Sequence, residues 1–261
     1  MNKHCFAICA YKESRYLEKC IKSVINQKVK TSIILVTSTP NDYIRALCNK
    51  YDIPMYINEG ETGITQDWNF AYSVADAELV TITHQDDVYR FNYTEKLFEY
   101  IDKSKNPIIF FSDYAEIRNK ERVDRNKNLY IKRIMLIPLR IRLLWRSRMI
   151  RRFILSLGSP ICCPSVTFVK RNCPEKPFQD GFRADEDWQA WERLSNLDGS
   201  FVFCPGILMY HRIHEESETS KILGDNARSK EDLIMFRKFW PEPVAYLLCK
   251  LYSASEKSNE L

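Results

Sequence analysis

Two adjacent aspartates, Asp86 and Asp87, follow the β-branched run Glu78-Leu79-Val80-Thr81-Ile82 after only Thr83-His84-Gln85. Like charges side by side at the mouth of a buried strand repel, so the site must hold something that compensates them. A divalent cation would do so. Mg²⁺ or Mn²⁺ takes one or two carboxylates and completes its shell with phosphate oxygens and water. The alternative is a helix-entry pair satisfied by backbone N–H groups, since aspartate favours the N-cap. Taken alone, the pair fits both readings equally.

A second group of acids, Asp185-Glu186-Asp187, opens an amphipathic stretch carrying Trp188, Trp191 and Leu194. Acids in a first helical turn complement the helix dipole. Three in a row exceed what a cap needs, and one of them, held near a metal, could act as general base towards a hydroxyl. A third group, Tyr210-His211-Arg212-Ile213-His214, places half of the chain's 4 histidines three residues apart beside an arginine. That combination suits a metal ligand and a diphosphate clamp; a structural histidine is the competing reading.

The elements around these groups set where they can meet. Cys5–Ala10, Ser32–Thr37, Pro54–Ile57, Leu79–Thr83 and Pro107–Ser112 are apolar runs suited to buried strands. Helical spacing lies between them at 13–27, 43–51, 64–75 and 93–103, with Ser14 as an N-cap candidate for the first. Strands that are apolar throughout and alternate with helices imply a mostly parallel sheet covered on both faces. Right-handed crossovers then bring the post-strand loops to one edge, where ligands of such sheets bind. Tyr11-Lys12-Glu13, Thr37-Ser38-Thr39 and Asp86-Asp87 all fall at that edge. Further strands are expected at 165–169, 201–203 and 207–211, with helices at 186–196, 226–239 and 244–252 and a frayed tail from 253 to 261.

With 261 residues, 45% of them hydrophobic, the chain can bury one large core or two modest ones. Its 13% aromatics and 7 glycines exclude a low-complexity protein. The start is apolar only briefly before Tyr11-Lys12-Glu13, so it reads as a first strand and not as a signal peptide. No apolar run approaches the roughly 18 residues of a membrane span. The 9 cysteines are odd in number and lack any Cys-x-x-Cys. They read as reduced thiols of a cytoplasmic protein.

Charge is unevenly spread. Residues 118–152 carry thirteen Lys/Arg against Glu121 and Asp124, a local +11 in a chain of +5, so the remainder sums to −6. Pro138 interrupts any single helix there. A solvated flap on the acceptor side and contact with an anionic membrane surface are both open for this segment. No recognition motif accompanies the charge, so nucleic acid is not expected as a partner.

Together, Ala10-Tyr11-Lys12-Glu13, Ser23-Val24-Ile25-Asn26-Gln27, the loop 63–69, His84-Gln85-Asp86-Asp87, Glu186-Asp187-Trp188 and His211-Arg212-Ile213-His214 resemble bacterial family 2 glycosyltransferases of the GT-A fold. The resemblance runs from Phe6 to about Lys221. It implies an α/β, Rossmann-like nucleotide-diphospho-sugar transferase domain over 1–221, with 118–157 as a basic insertion and 222–261 as a helical extension. It further implies a metal-dependent inverting hexosyltransferase, with a nucleotide-sugar donor (a UDP-sugar) and a sugar or lipid-linked acceptor. The setting would be polysaccharide or glycolipid synthesis at the inner membrane face.

By the same resemblance, Asp87 would bind Mn²⁺ or Mg²⁺, Asp86 the ribose or the metal, and His214 the metal or diphosphate. Asp187 would be the base with Glu186 beside it, while Tyr11, Glu13, Trp68 and Asn69 would flank the nucleotide. Two features depart from the family pattern: the loop after the second strand is Thr37-Ser38-Thr39 where many members carry an acidic pair, and Lys12 stands where asparagine is usual. Both bear on the nucleotide base. A nucleotidyltransferase would want a glycine-rich phosphate loop after the first strand, which Ala10–Ser14 lacks. A non-catalytic module built on the basic segment is the remaining alternative.

Overall fold

The computed structural model describes residues 2–214 and 227–257. The first half alternates strand and helix: β1 (Asn2–Ala10), α1 (Leu17–Ile25), β2 (Ser32–Thr37), α2 (Asp42–Tyr51), β3 (Met55–Ile57), α3 (Ile64–Val74) and β4 (Ala77–His84). These four strands pair in parallel in the order β3-β2-β1-β4. Their register aligns Ala10 with Thr37 and Cys9 with His84, so the loops after β1, β2 and β4 leave the sheet side by side. Phe6, Ala7 and Ile8 of β1 are fully buried, as a strand covered on both faces requires.

Beyond β4 the sheet is mixed, where the periodicity had implied a mostly parallel one. The strand β8 (Val166–Val169) inserts antiparallel between β4 and β6 (Pro107–Arg118). Long β9 (Ser200–Ile213) then runs parallel to β6, and β5 (Val88–Tyr89) pairs antiparallel with β9. The two strands expected at 201–203 and 207–211 are one, because register shifts around Ser112 and Asp113 carry the pairing past Pro205-Gly206. Helix α4 (Tyr93–Ile101) covers this half of the sheet.

The basic segment is partly sheet. Asn119 and Lys120 have left-handed φ values of 49° and 69° and turn β6 into the short hairpin strand β7 (Glu121–Val123). Two left-handed residues in a two-residue loop are what a type I′ hairpin demands. Then come α5 (Lys127–Met135), two 3₁₀ turns at Ile137–Arg140 and Arg142–Arg146, and α6 (Arg148–Leu155). Pro138 does interrupt the helix here.

Helix α7 (Glu186–Ser195) buries Trp188 and Trp191 completely. Helices α8 (Ala227–Arg237) and α9 (Glu242–Lys257) follow, and their Met235, Phe236, Ala245 and Cys249 join the same apolar cluster as the strands. Phe236 meets Trp188 edge-on at 5.0 Å. Gly158, with φ of 135°, lets α9 approach closely: a Cβ there would stand 2.7 Å from the Tyr252 ring. The backbone stays helical through Lys257, where a frayed tail was expected from 253. The boundary at 221–222, residues 215–219 of the histidine segment and the last four residues of the tail lie outside the described residues.

Candidate active site

The rim where β1, β2 and β4 end is built by short hydrogen bonds. Gln85 brackets Tyr11, accepting from its N–H (3.1 Å) and donating to its carbonyl (3.0 Å). Lys12 donates its N–H to Thr39 Oγ1 (2.6 Å) and holds a left-handed φ of 53°. Asparagine tolerates that conformation better than lysine does. The expected cap Ser14 lies outside α1 and accepts from Tyr16 N–H instead (3.3 Å). Tyr11 and Glu13 are exposed at the rim.

The paired aspartates meet the late histidine segment because β5, directly after Asp87, pairs with β9 directly before His211. Asp87 is fully buried. Its Oδ1 accepts from Arg212 N–H (2.9 Å) and lies 3.1 Å from His211 Nδ1, while Oδ2 is buried with no hydrogen-bond partner among the described residues. Asp86 Oδ2 lies 2.9 Å from His214 Nε2, and the Asp86 carbonyl accepts from Arg212 Nε (2.9 Å). The Arg212 guanidinium stacks over Tyr16, and its buried Nη2 has no hydrogen-bond partner among the described residues.

The electrostatics follow from this packing. Burial alone would lower the His211 pKa, but the Asp87 and Asp86 carboxylates lift it to about 9. Burial opposes ionisation of Asp86, yet His214, His211 and His84 hold its carboxyl below the ordinary value. His84 is lowered, because burial outweighs the same carboxylates.

Asp187 begins α7 with Oδ1 on Trp188 N–H (2.6 Å). It is half-buried, whereas Asp185 and Glu186 are buried, so of the three acids it is the one with an open side. Burial raises the Asp187 pKa, partly offset by Lys132. Asp185 is pushed well up by burial and then by Asp232. The loop entering α7 is held from α8: the Glu231 carboxylate accepts from the N–H groups of Arg183 (2.9 Å), Ala184 (2.8 Å) and Asp185 (3.2 Å).

Asp187 and Asp87 both bear on one buried thiol, that of Cys162. The buried Cys162 thiol is pushed up first by burial and then by negative charge from both carboxylates. Lys132 of α5 reaches the same region and donates to Tyr114 Oη (3.1 Å).

The wall expected to flank the nucleotide is more heavily committed. Trp68 stacks on His84 (4.9 Å, 11°), so one of its faces is covered. Asn69 donates to the Phe178 carbonyl (2.9 Å) and accepts from Phe178 N–H (3.1 Å), which makes its amide a loop clasp. After β2 an acid is present despite the neutral loop: Asp67 of α3 accepts from Ser38 Oγ (2.7 Å) and Asn58 Nδ2 (2.7 Å). Sequence reading missed Asp67, His84, Lys132 and Glu231. Their partners lie 29 residues away for Asp67 with Ser38, 16 for His84 with Trp68, 18 for Lys132 with Tyr114 and 46 to 48 for Glu231, and no local pattern marks them.

Among the described residues no three His, Cys, Asp or Glu side chains converge as a ready-made cage. The orphaned Asp87 Oδ2 beside Asp86 offers the hard oxygen donors that Mg²⁺ and Mn²⁺ take, with phosphate and water to complete the shell. The residues present therefore fit such an ion.

The chain matches the model of glycosyl transferase family 2 over residues 5–173, and it belongs to that family. It is a glycosyltransferase of mixed α/β, GT-A type. A curated relative, glycosyltransferase GlyG of Streptococcus pneumoniae, is 24% identical over 127 residues, covering 46% of this chain and 41% of that one. The chain thus matches less than half the length of this relative. Among solved structures, S. aureus TarS 1–349 in complex with UDP-GlcNAc superposes with a TM-score of 0.63 at 13% identity, over 95% of this chain and 70% of that one. The mannosyltransferase PcManGT of Pyrobaculum calidifontis, with GDP-Man and Mn²⁺, gives 0.62 at 12% identity, over 100% and 76%.

Proposed function

We propose that this chain is a metal-dependent inverting glycosyltransferase. It moves a sugar from a nucleotide-sugar donor, a UDP-sugar, to a hydroxyl of a sugar or lipid-linked acceptor in cell-surface polysaccharide or glycolipid synthesis. The observation that carries this reading is the convergence of Asp86, Asp87, Arg212 and His214 at the rim where β1, β2 and β4 end. The UDP-GlcNAc and the GDP-Man with Mn²⁺ in the two structural neighbours support a nucleotide-sugar donor and a divalent cation.

In this reading Asp87 and Asp86 hold the cation, which would neutralise charge on the departing diphosphate. His214 fixes the Asp86 carboxylate, and Arg212 offers its Nη2 to a phosphate oxygen. Asp187 takes the proton of the acceptor hydroxyl as that oxygen attacks the anomeric carbon from the face opposite the leaving group. A positioned base of this kind is typically worth about 10²–10⁴-fold. Glu186 supports the base from within the helix start. Tyr11 and Glu13 border the nucleotide, Trp68, packed against His84 and Phe178, stiffens the wall, and Asn69 holds it together. No helix among the described residues is long and apolar enough to cross a membrane; a lipid-linked acceptor would place the enzyme in the cytoplasm, at the inner membrane face.

A donor screen with UDP- and GDP-sugars, reading nucleoside diphosphate release with Mn²⁺, with Mg²⁺ and with EDTA, tests the proposal. Release that needs the cation is expected. Release undiminished by EDTA would remove the metal from the account.

A further inference from the structure

The +11 segment looks uniform in sequence, but the fold divides its cations into two populations. Arg151 is buried and donates to the carbonyls of Ser195 (2.7 Å), Gly199 (2.6 Å) and Leu197, closing the C-terminus of α7. Arg152 pairs with Glu192 (2.7 Å) and Arg133 with Asp113 (2.7 Å), while Lys132 lies on Tyr114. These four are internal struts. Arg140, Arg142 and Arg148 are exposed.

Around those three stand large apolar side chains that face outward. Leu143 is 89% and Met149 77% exposed, and Ile137, Ile141 and Phe153 are each more than half exposed. Scattered exposed apolar residues are ordinary; a series of them on one compact segment marks an interaction surface. The series continues on α9, where Val244, Leu247 and Leu251 are exposed at helical spacing. The two elements meet at the end of α6, where Trp240 Nε1 donates to the Ser156 carbonyl (2.8 Å) and Tyr252 packs on Gly158.

Charge decides what covers this face. From residue 125 to residue 174 the sequence contains no Asp or Glu. A two-fold contact with a second copy would set the same arginines against each other, and the acid in the first turn of α9, Glu242, is already paired with Arg237. An anionic bilayer surface supplies negative charge to the exposed arginines and an apolar boundary to the side chains between them.

We propose that the exposed face of residues 137–153 together with α9 is a docking surface for anionic phospholipid membranes. The C-terminal helix is half of that footprint and not a separate appendage. Helix α5 links the surface to the candidate active site, because Lys132 points inward to Tyr114 while Ile134 on the same helix is exposed. The surface rests on the proposed function only for its purpose, which is to hold the enzyme where a lipid-linked acceptor would lie; binding itself does not depend on that reading.

The test is flotation of the full chain with vesicles of phosphatidylglycerol and phosphatidylcholine, and with phosphatidylcholine alone, at low and high salt. Binding to the anionic vesicles is expected, weakened by salt. Leu143→Ser with Met149→Ser, and separately Leu247→Ser with Leu251→Ser, should each weaken it at least about tenfold. Arg140→Gln, Arg142→Gln and Arg148→Gln combined should weaken it about a hundredfold.

Thermal melting checks that the variants fold, and nucleoside diphosphate release in solution should stay at the wild-type level. Absence of flotation at low salt overturns the proposal. So does binding indifferent to all three variants, or a concentration-dependent dimer that the variants abolish. Flotation without donor turnover upholds the surface and counts against the reaction, so the two failures are distinguishable.

Discussion

His214 Nε2 lies 2.9 Å from Asp86 Oδ2 across 128 positions of the sequence. Their meeting depends on two residues of sheet. Val88 pairs with Tyr210, which turns the end of β9 back over the aspartates. The acidic pair therefore sits in a short turn whose two ends are strands of the sheet, β4 and β5. Its partners, His211 and Arg212, come from the same strand end.

The raised pKa of Asp187 sets the acid side of the pH profile. A base must be ionised to accept a proton, and burial holds this carboxyl above its ordinary value of 3.8. Turnover should therefore fall on acidification at a pH higher than an exposed aspartate would give. Lys132→Met removes the cation that opposes the shift, so the acid limb should move further up. Profiles of turnover against pH for both proteins check this, and an unmoved limb contradicts the assignment.

His211 reports on Asp87. With the carboxylate beside it the ring titrates at about 9. In Asp87→Asn the main opposing charge is gone while Asp86 and Glu116 remain, so the value should fall. Histidine ring NMR without added metal measures both values.

His4 ties stability to pH. It is buried in β1, with Nε2 2.8 Å from Thr81 Oγ1, and its pKa is lowered from 6.5 to about 3 by burial. A lowered folded value means that this contribution is complete above pH 6.5 and is lost as pH falls towards 3. Between pH 7 and pH 5 the loss is about 2 kcal/mol. Denaturant unfolding at the two pH values should show it, and His4→Gln should remove that part of the slope.

Glu231 positions the loop that carries the base. Glu231→Ala leaves three partly buried N–H groups without their acceptor, at a cost of about 2–3 kcal/mol. Turnover should drop more than donor affinity, because Asp187 loses its aim while the rim of β1, β2 and β4 is untouched. Equal losses in both would mean a general unfolding effect.

The parts of this molecule that were legible in the sequence are those with local signatures. Apolar runs alternating with helical spacing gave β1 to β4 and their helices, and acids at a strand end and a helix start gave Asp86, Asp87 and Asp187. What stayed hidden depends on distant partners. Two-residue β5 is too short to show a period, β8 reads the same whether parallel or antiparallel, and the hairpin at Asn119-Lys120 lacks the usual glycine. Arg151 looks like every other arginine until the carbonyls of Ser195 and Gly199 enclose it. Asn69 looks like a ligand-facing amide, yet its oxygen and one of its N–H groups are engaged by Phe178.

The central claim is that Asp87 and Asp187 serve a single reaction from different sides, one through donor binding and the other through proton transfer. Calorimetric titration of a turned-over UDP-sugar with Mn²⁺ into Asp187→Asn and Asp87→Ala, with product release followed in parallel, separates the roles. The account predicts near-native donor affinity and no release for Asp187→Asn, and loss of both for Asp87→Ala. Wild-type release from Asp187→Asn, or unchanged metal-dependent affinity in Asp87→Ala, would contradict it.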